Sequence, residues 1–530
     1  MAYIRGQETE TKSHGYKELL FLIMTNKKKP NKSLSTGKRV TFVVIGLFLI
    51  VISIVAFLID PIHIVMRYKT RIAKGSMLYE LLLKPNLPGA YVQAYLFNIT
   101  NADLFLAGID TKLKVEEVGP FTYQEYRTNA DFELDEELGV MRYSPKLFPR
   151  FVPERSVADP KDVNLTLPNI AMLAIASVVS KSAFLTRIGF NMLAKQLESE
   201  PILKISAHEF LWGFDEPLIN FGHKVMPGVI KFEKMGLLDR LYDIDDFRLE
   251  VGSTTQDKFE IKTYNGEAGV TPLGYDITPS RCNTFADAYE GLIYPPDLTE
   301  DTPLRLYRNV FCRIFNLQYR DTRTMDYGPE VFHYTFSDDS YSNNTDNICL
   351  CKNEDCVNGV SDISPCFFGL SFVLSNAHFL NADPVIYERI EGIEPDEELH
   401  GSDVLIDRKL GTVMATKLTL QLSVQVANVN FNSATSPFSD MIIPAAYFKI
   451  EQEDLDEELK SNLWLIYGIL PHVMYTVEAL SFIIGSVLLA FVFKSHLPPL
   501  RMEKINLRDF TQAQPLFDDR YKKDIKLDGS

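Results

Sequence analysis

The chain has 530 residues, 46% of them apolar, and a net charge of −16. That length exceeds one ordinary small domain, and that apolar share suits a globular body with membrane segments added. The ends are basic, at +6 over residues 1–39 and +2 over residues 494–530, which leaves −24 on residues 40–493; so acidic a body repels nucleic acid and excludes it as a partner.

Residues 1–39 read as a cytosolic tail. Val40–Ile59 then runs for twenty residues without a charge, enough at about 1.5 Å per residue to cross a hydrocarbon core of roughly 30 Å. It begins too far into the chain, and is too long, for a signal peptide, and Asp60-Pro61 follows it where a cleavage site would need small residues. Lys27, Lys28, Lys29, Lys32, Lys38 and Arg39 precede this span and hold its start on the cytosolic side. A second apolar run, residues 467–493, is closed by Lys494 and returns residues 494–530 to the cytosol. Within it Glu478 falls near the outer edge of the best window, where a carboxylate is accommodated as an interfacial residue; deeper in the membrane it would read as functional.

Residues 60–466 therefore face the outside or an organelle lumen, and their pattern is β-rich. Tyr91–Phe97 and Lys112–Val118 alternate apolar and polar residues, and Lys258–Thr263 leads into Asn265-Gly266, a tight hairpin signal. Gly119-Pro120 and Pro295-Pro296 punctuate the strands. In Leu418–Val426, leucine and valine alternate strictly with Thr419, Gln421, Ser423 and Gln425, which predicts a strand with one buried and one wet face. Ile170–Val179 breaks the pattern. It is almost wholly apolar, and Phe184, Leu185, Ile188, Met192 and Leu193 continue at helical spacing up to Lys195, giving two or three helices. Too short to span a bilayer, that first run is either a buried core helix or an exposed one that contacts ligand or membrane.

All six cysteines, Cys282, Cys312, Cys349, Cys351, Cys356 and Cys366, lie between the spans. An even number on the oxidising side reads as three disulfides and leaves their pairing open. Cys349, Cys351 and Cys356 are also close enough for a metal cluster, but paired Cys-x-x-Cys spacing and nearby histidines are missing. Asn98, Asn164 and Asn343 head glycosylation sequons in the body, and Asn31 heads one in the tail. No signature of a hydrolase, zinc protease, nucleotide-binding loop or dinucleotide fold occurs, and His208, His223, His333 and His378 are scattered. Neither an enzyme nor a cofactor or metal is expected.

Three motifs and the cysteine spacing carry a resemblance. They are Tyr95-Leu96-Phe97-Asn98-Ile99-Thr100-Asn101, Glu117-Val118-Gly119-Pro120-Phe121-Thr122-Tyr123 and Phe210-Leu211-Trp212-Gly213-Phe214. Together they resemble the class B scavenger receptor family over nearly the whole region between the spans. The resemblance implies a β-rich α+β fold: an antiparallel β-barrel ectodomain with an apical helical bundle at about residues 168–212 and an internal apolar tunnel, between two transmembrane helices. It implies the pairs Cys282–Cys349, Cys312–Cys366 and Cys351–Cys356, and it favours the exposed reading of the apolar helices. It further implies a cell-surface receptor for lipids, lipoproteins or lipid-bearing particles, able to form homo-oligomers, that passes fatty acid, sterol or carotenoid to the membrane. Lys195 lies nearest to the family's lysine at the tunnel mouth, with Lys181 and Lys204 as neighbours.

Departures are the long N-terminal tail, tails without cysteine, and Ala377 where the family commonly has proline before the histidine. The plasma membrane is the expected location, with lysosomal or endosomal membrane as the alternative. An adhesion or engulfment receptor without lipid transfer needs the same fold. A two-span ligand-gated channel fits less well, because Val40–Ile59 offers only Gly46 and Ser53 toward a pore-lining face. Glycan mapping of the chain from eukaryotic cells is expected to find sugar on body sequons and none on Asn31; sugar on Asn31 would reverse the topology.

Overall fold

The computed structural model describes residues 35–225, 230–242, 247–270, 280–342, 347, 349, 357–452, 455 and 457–496. The described residues divide into two compact units, one within residues 61–472 and one formed by residues 35–60 with 473–496.

The larger unit is built on one long sheet. Its main strands are β1 (Leu87–Ile99), β2 (Leu113–Asp135), β3 (Val140–Phe151), β4 (Leu249–Gly252), β5 (Ile261–Tyr264), β6 (Leu304–Arg308), β7 (Arg313–Thr324), β8 (Glu330–Phe336), β9 (Asp403–Asp407), β10 (Val413–Val426) and β11 (Met441–Glu451). In space they run β5-β4-β3-β2-β1-β11-β10-β9-β8-β7-β6, every neighbour antiparallel, and the short strand Ala288–Tyr289 continues the series beside β6. A single bridge between Glu260, next to β5, and Tyr289 brings the two ends together, so the sheet nearly closes on itself as a barrel.

The apolar strand residues fill this barrel and the layer around it. Leu96, Phe121, Met141, Leu420, Leu422 and Phe448 are all fully buried. Disulfides join Cys282 to Cys349 and Cys312 to Cys366, closing loops with sequence separations of 67 and 54. In chain-entropy terms loops of that size stabilise the fold by on the order of 4 kcal/mol each. Cys351 and Cys356 lie outside the described residues.

Two strand readings need correction. Gly119-Pro120 sits inside β2 rather than between strands, at a bulge where the pair opposes Tyr95 of β1. Proline cannot donate to the ladder, and a bulge is where a strand tolerates that. A side chain on Gly119 would come within 2.7 Å of the Ala94 carbonyl, so only glycine lets β1 approach. The second correction concerns β10: Thr419, Gln421 and Ser423 are completely buried, so neither face of this stretch is wet. Strand Phe372–Ser375 pairs with the edge of β10, and the segments at His378 and at His400–Ser402 bond to its polar side chains. Thr419 Oγ1 donates to the His400 carbonyl, and the Gln421 side-chain carbonyl accepts the His378 N–H at 2.8 Å.

In the smaller unit, Thr36–Ile59 and the helical stretch ending at Ser495 are long and apolar enough to cross a membrane. A Cβ on Gly46 would lie 3.0 Å from the Gly485 carbonyl, and one on Gly485 would lie 2.7 Å from the Gly46 carbonyl. The two helices thus cross at a pair of glycines, as close packing in lipid favours. Ser53 Oγ donates to the Glu478 carbonyl oxygen at 2.8 Å, and Glu478 is buried.

Candidate ligand-binding site

The apolar stretch after residue 169 forms α1 (Ile170–Ser180) and α2 (Phe184–Gln196). Asn169 caps α1 by accepting the Met172 N–H at 3.0 Å, and its amide donates to the Glu200 carbonyl at 2.8 Å. At the other end Ser177 Oγ donates to the Gln425 carbonyl and accepts the Ala427 N–H, both at 2.9 Å, which ties α1 to the end of β10. Ile170, Ala171, Met172, Leu173, Ala174 and Ala176 are fully buried or nearly so. For this run the core reading is the right one.

The opposite holds for α2. Its inner side is fixed by Phe190 edge-on to Phe431 and by the Asn191 amide, which donates to the Phe431 carbonyl at 2.6 Å. With Phe190 and Ala194 inward, the helical period turns Phe184, Leu185, Ile188 and Met192 out, at 68%, 79%, 39% and 69% exposure. Such a cluster of large apolar side chains left in water marks a contact surface.

Beside this helix pair lies a cleft of about 950 Å³. Ser177, Lys181 and Arg187 line it from the helical side, and Asp362, Gln425 and Ile442 from the strand side. Arg187 Nε is buried with no hydrogen-bond partner among the described residues. Of the three lysines expected at a binding mouth, only Lys181 lines the cleft. Lys195 is exposed in the last turn of α2, and Lys204 is exposed on strand Ile202–Ser206 opposite Thr166. Arg187 was missed by the sequence reading; a cation set between Phe184 and Ile188 in an apolar helix was the available signal.

Elsewhere on the body an open pocket of about 310 Å³ and a small void of about 10 Å³ share Leu241, Tyr242, Arg308 and Val310 as walls, and the small void reaches Phe448 and Ile450 of β11. Among the sequons, Asn164 is exposed, whereas the Asn98 amide donates to Glu116 at 2.7 Å and its carbonyl accepts the Thr166 N–H at 2.8 Å. Asn31 and Asn343 lie outside the described residues.

His378 is not the isolated histidine its position suggested. It stacks on His400 with ring centres 4.1 Å apart, and its Nε2 lies 3.0 Å from Glu117 of β2. One ligand atom from each of these three residues falls within 4.8 Å of the others, a spacing that a metal ion could bridge. The group does not fit one. Nδ1 of His378 accepts the Glu394 N–H at 3.1 Å, and Nδ1 of His400 accepts the Asp396 N–H at 3.0 Å. With Nδ1 accepting in both rings the proton sits on Nε2, which in His378 is turned to Glu117, where a metal needs a lone pair. Burial pushes the Glu117 carboxyl up, but hydrogen bonds from His378 and Tyr447 outweigh it and hold the group below its usual range. Burial, reinforced by the neighbouring His378, lowers the His400 imidazole to about 4.

A histidine with a lowered folded pKa stabilises the fold fully above its unfolded value of about 6.5 and loses that contribution as pH falls toward the folded value. Glu117 acts in the same sense at lower pH. Chemical unfolding of the chain is therefore expected to show stability falling between about pH 6.5 and pH 4, with a shallower fall in His400→Gln; an unchanged slope in that variant would contradict the assignment.

A profile of the CD36 family matches residues 44–496 of the chain. Scavenger receptor class B member 1 of Bos taurus is 25% identical over 469 residues, covering 86% of this chain and 89% of that protein. Lysosome membrane protein 2 of Homo sapiens is 28% identical over 431 residues, covering 79% of this chain and 86% of that protein.

Proposed function

Because the chain belongs to the CD36 family, the class B scavenger receptors, we propose that it receives lipidic particles on the exposed face of α2 and passes their lipid through the ectodomain to the membrane. Phe184, Leu185, Ile188 and Met192, standing in water beside a large cleft, carry this reading. Full burial of such side chains against a lipid-bearing particle is worth roughly 1.5–3 kcal/mol each. Lys181 and Arg187 place positive charge on the cleft wall, suited to a carboxylate or phosphate head leaving the particle.

The pocket of about 310 Å³ beside Leu241 and Tyr242 is a candidate stretch of the route for an acyl chain or sterol. No bond is made or broken, so the driving force is transfer of apolar surface from one lipid environment to another. The reading places the receptor at the plasma membrane. An endolysosomal site is the alternative, in keeping with a relative named for the lysosome membrane. Sugar on Asn164 and on the other body sequons, a third disulfide between Cys351 and Cys356, and assembly into homo-oligomers complete it.

The test is uptake of a fluorescent sterol and a fluorescent fatty acid from lipoprotein by cells expressing the chain, at matched surface expression. Leu185→Glu with Met192→Glu is expected to raise the half-saturating particle concentration about tenfold or more. Binding without uptake would favour the adhesion or engulfment receptor. Unchanged binding in the double variant would remove α2 as the contact surface.

A further inference from the structure

Residues 61–79 carry Arg67, Lys69, Arg71 and Lys74 and no acid, a net +4 inside a stretch, residues 40–493, that sums to −24. The first nine of them, Pro61–Lys69, form a helix, and only Asp60 separates it from Ile59, the last residue of the first span. Asp60 is in the left-handed conformation and closes that span. Two residues reach at most about 7 Å, and the headgroup layer beyond the hydrocarbon is roughly 5–8 Å thick on each side. A helix that starts at Pro61 therefore starts within reach of lipid headgroups.

The helix has two faces of different chemistry. His63 and Arg67, one turn apart, are turned to the body: Arg67 pairs with Asp297, and His63 Nε2 lies 3.5 Å from the same carboxylate and 3.4 Å from the Lys409 carbonyl oxygen. The helical period turns Ile64, Val65 and Tyr68 the other way, at 50%, 56% and 58% exposure. Just past the helix, the Arg71 guanidinium stands 3.7 Å over the Tyr68 ring. An apolar stripe ending in a tyrosine and flanked by cations is the composition of a helix that lies in a membrane surface, with the ring at headgroup level and the long basic side chains reaching phosphates.

We propose that helix Pro61–Lys69 is an interfacial helix: Ile64, Val65 and Tyr68 insert into the outer boundary of the chain's own membrane, and Lys69, Arg71 and Lys74 lie against its phosphates. Because Asp297 holds Arg67 and His63 from the other side, the helix attaches the body to the bilayer surface through side chains as well as through the covalent link. The inference needs the first span but not the passage of lipid, so it holds equally for a receptor that only adheres. It concerns a different part of the molecule from α2.

The experiment uses the full-length chain in phosphatidylcholine nanodiscs whose acyl chains are brominated or plain. A bimane label is attached to one introduced cysteine at a time. In Ile64→Cys, Val65→Cys and Tyr68→Cys it is expected to lose most of its emission in brominated discs. In Ile109→Cys, an exposed position in the turn at the far end of β1, it should lose none. Replacing Lys69, Arg71 and Lys74 together by Glu is expected to weaken the quenching at Val65→Cys, and unchanged quenching would overturn the role given to the cations. Labels at positions 64, 65 and 68 quenched no more than at 109, in variants whose unfolding curves match wild type, would overturn the interfacial helix. Protection of those labels from aqueous iodide without quenching by brominated lipid would also overturn it, and would assign the face to a second copy of the chain. Leu185→Glu should leave the quenching intact, so failure of the α2 reading and failure of this one are read separately.

Discussion

One row of side chains across three strands sets the geometry on which the rest of the body depends. Tyr95 of β1, Tyr447 of β11 and Gln421 of β10 stand side by side in register. The two tyrosine rings stack at 4.6 Å, Tyr447 bonds to Glu117, and Gln421 takes the His378 backbone N–H. Polar groups buried at this depth must find partners, since an unmet donor or acceptor in the interior costs more than a made bond returns. The row therefore recruits a second layer over the sheet, including His378 and His400, and that layer seals the polar face of β10. The bulge at Gly119-Pro120 places Glu117 where this layer can reach it.

Much of this could be read from the chain, and what could not has a common cause. Local alternation marks β1, β2 and β10 because each has an apolar face at a period of two, and the apolar run at residues 170–195 marks α1 and α2. Burial of Thr419, Gln421 and Ser423 could not be inferred, because the residues that cover them lie tens of positions away in sequence. The same applies to the pairing of His378 with His400, which depends on a stacked loop, and to near-closure of the barrel through Glu260 and Tyr289. Among the residues proposed to bind ligand, Lys181 came from the family resemblance, as a neighbour of Lys195. Its distinction from Lys195 and Lys204 needed the direction of each side chain.

The functional arrangement follows from how apolar surface is distributed. The same sequence region supplies α1, packed inward and tied to β10, and α2, which buries Phe190 and turns Leu185 and Met192 to solvent. The fold thus holds an exposed apolar face on a rigid support, as a surface for lipid contact needs. Cations line pockets in an otherwise acidic body, and in the smaller unit two membrane helices close against each other through Gly46 and Gly485.

The central claim is that lipid travels inside the ectodomain. The direct measurement is crosslinking with a photoactivatable fatty acid and a photoactivatable sterol delivered from lipoprotein to cells expressing the chain, followed by peptide mapping. The account predicts adducts on inward residues around Leu241, Tyr242 and Val310 as well as on the α2 face. Adducts confined to the outer surface, with none inside the barrel, would contradict it and leave a receptor that binds lipid particles without carrying their lipid through.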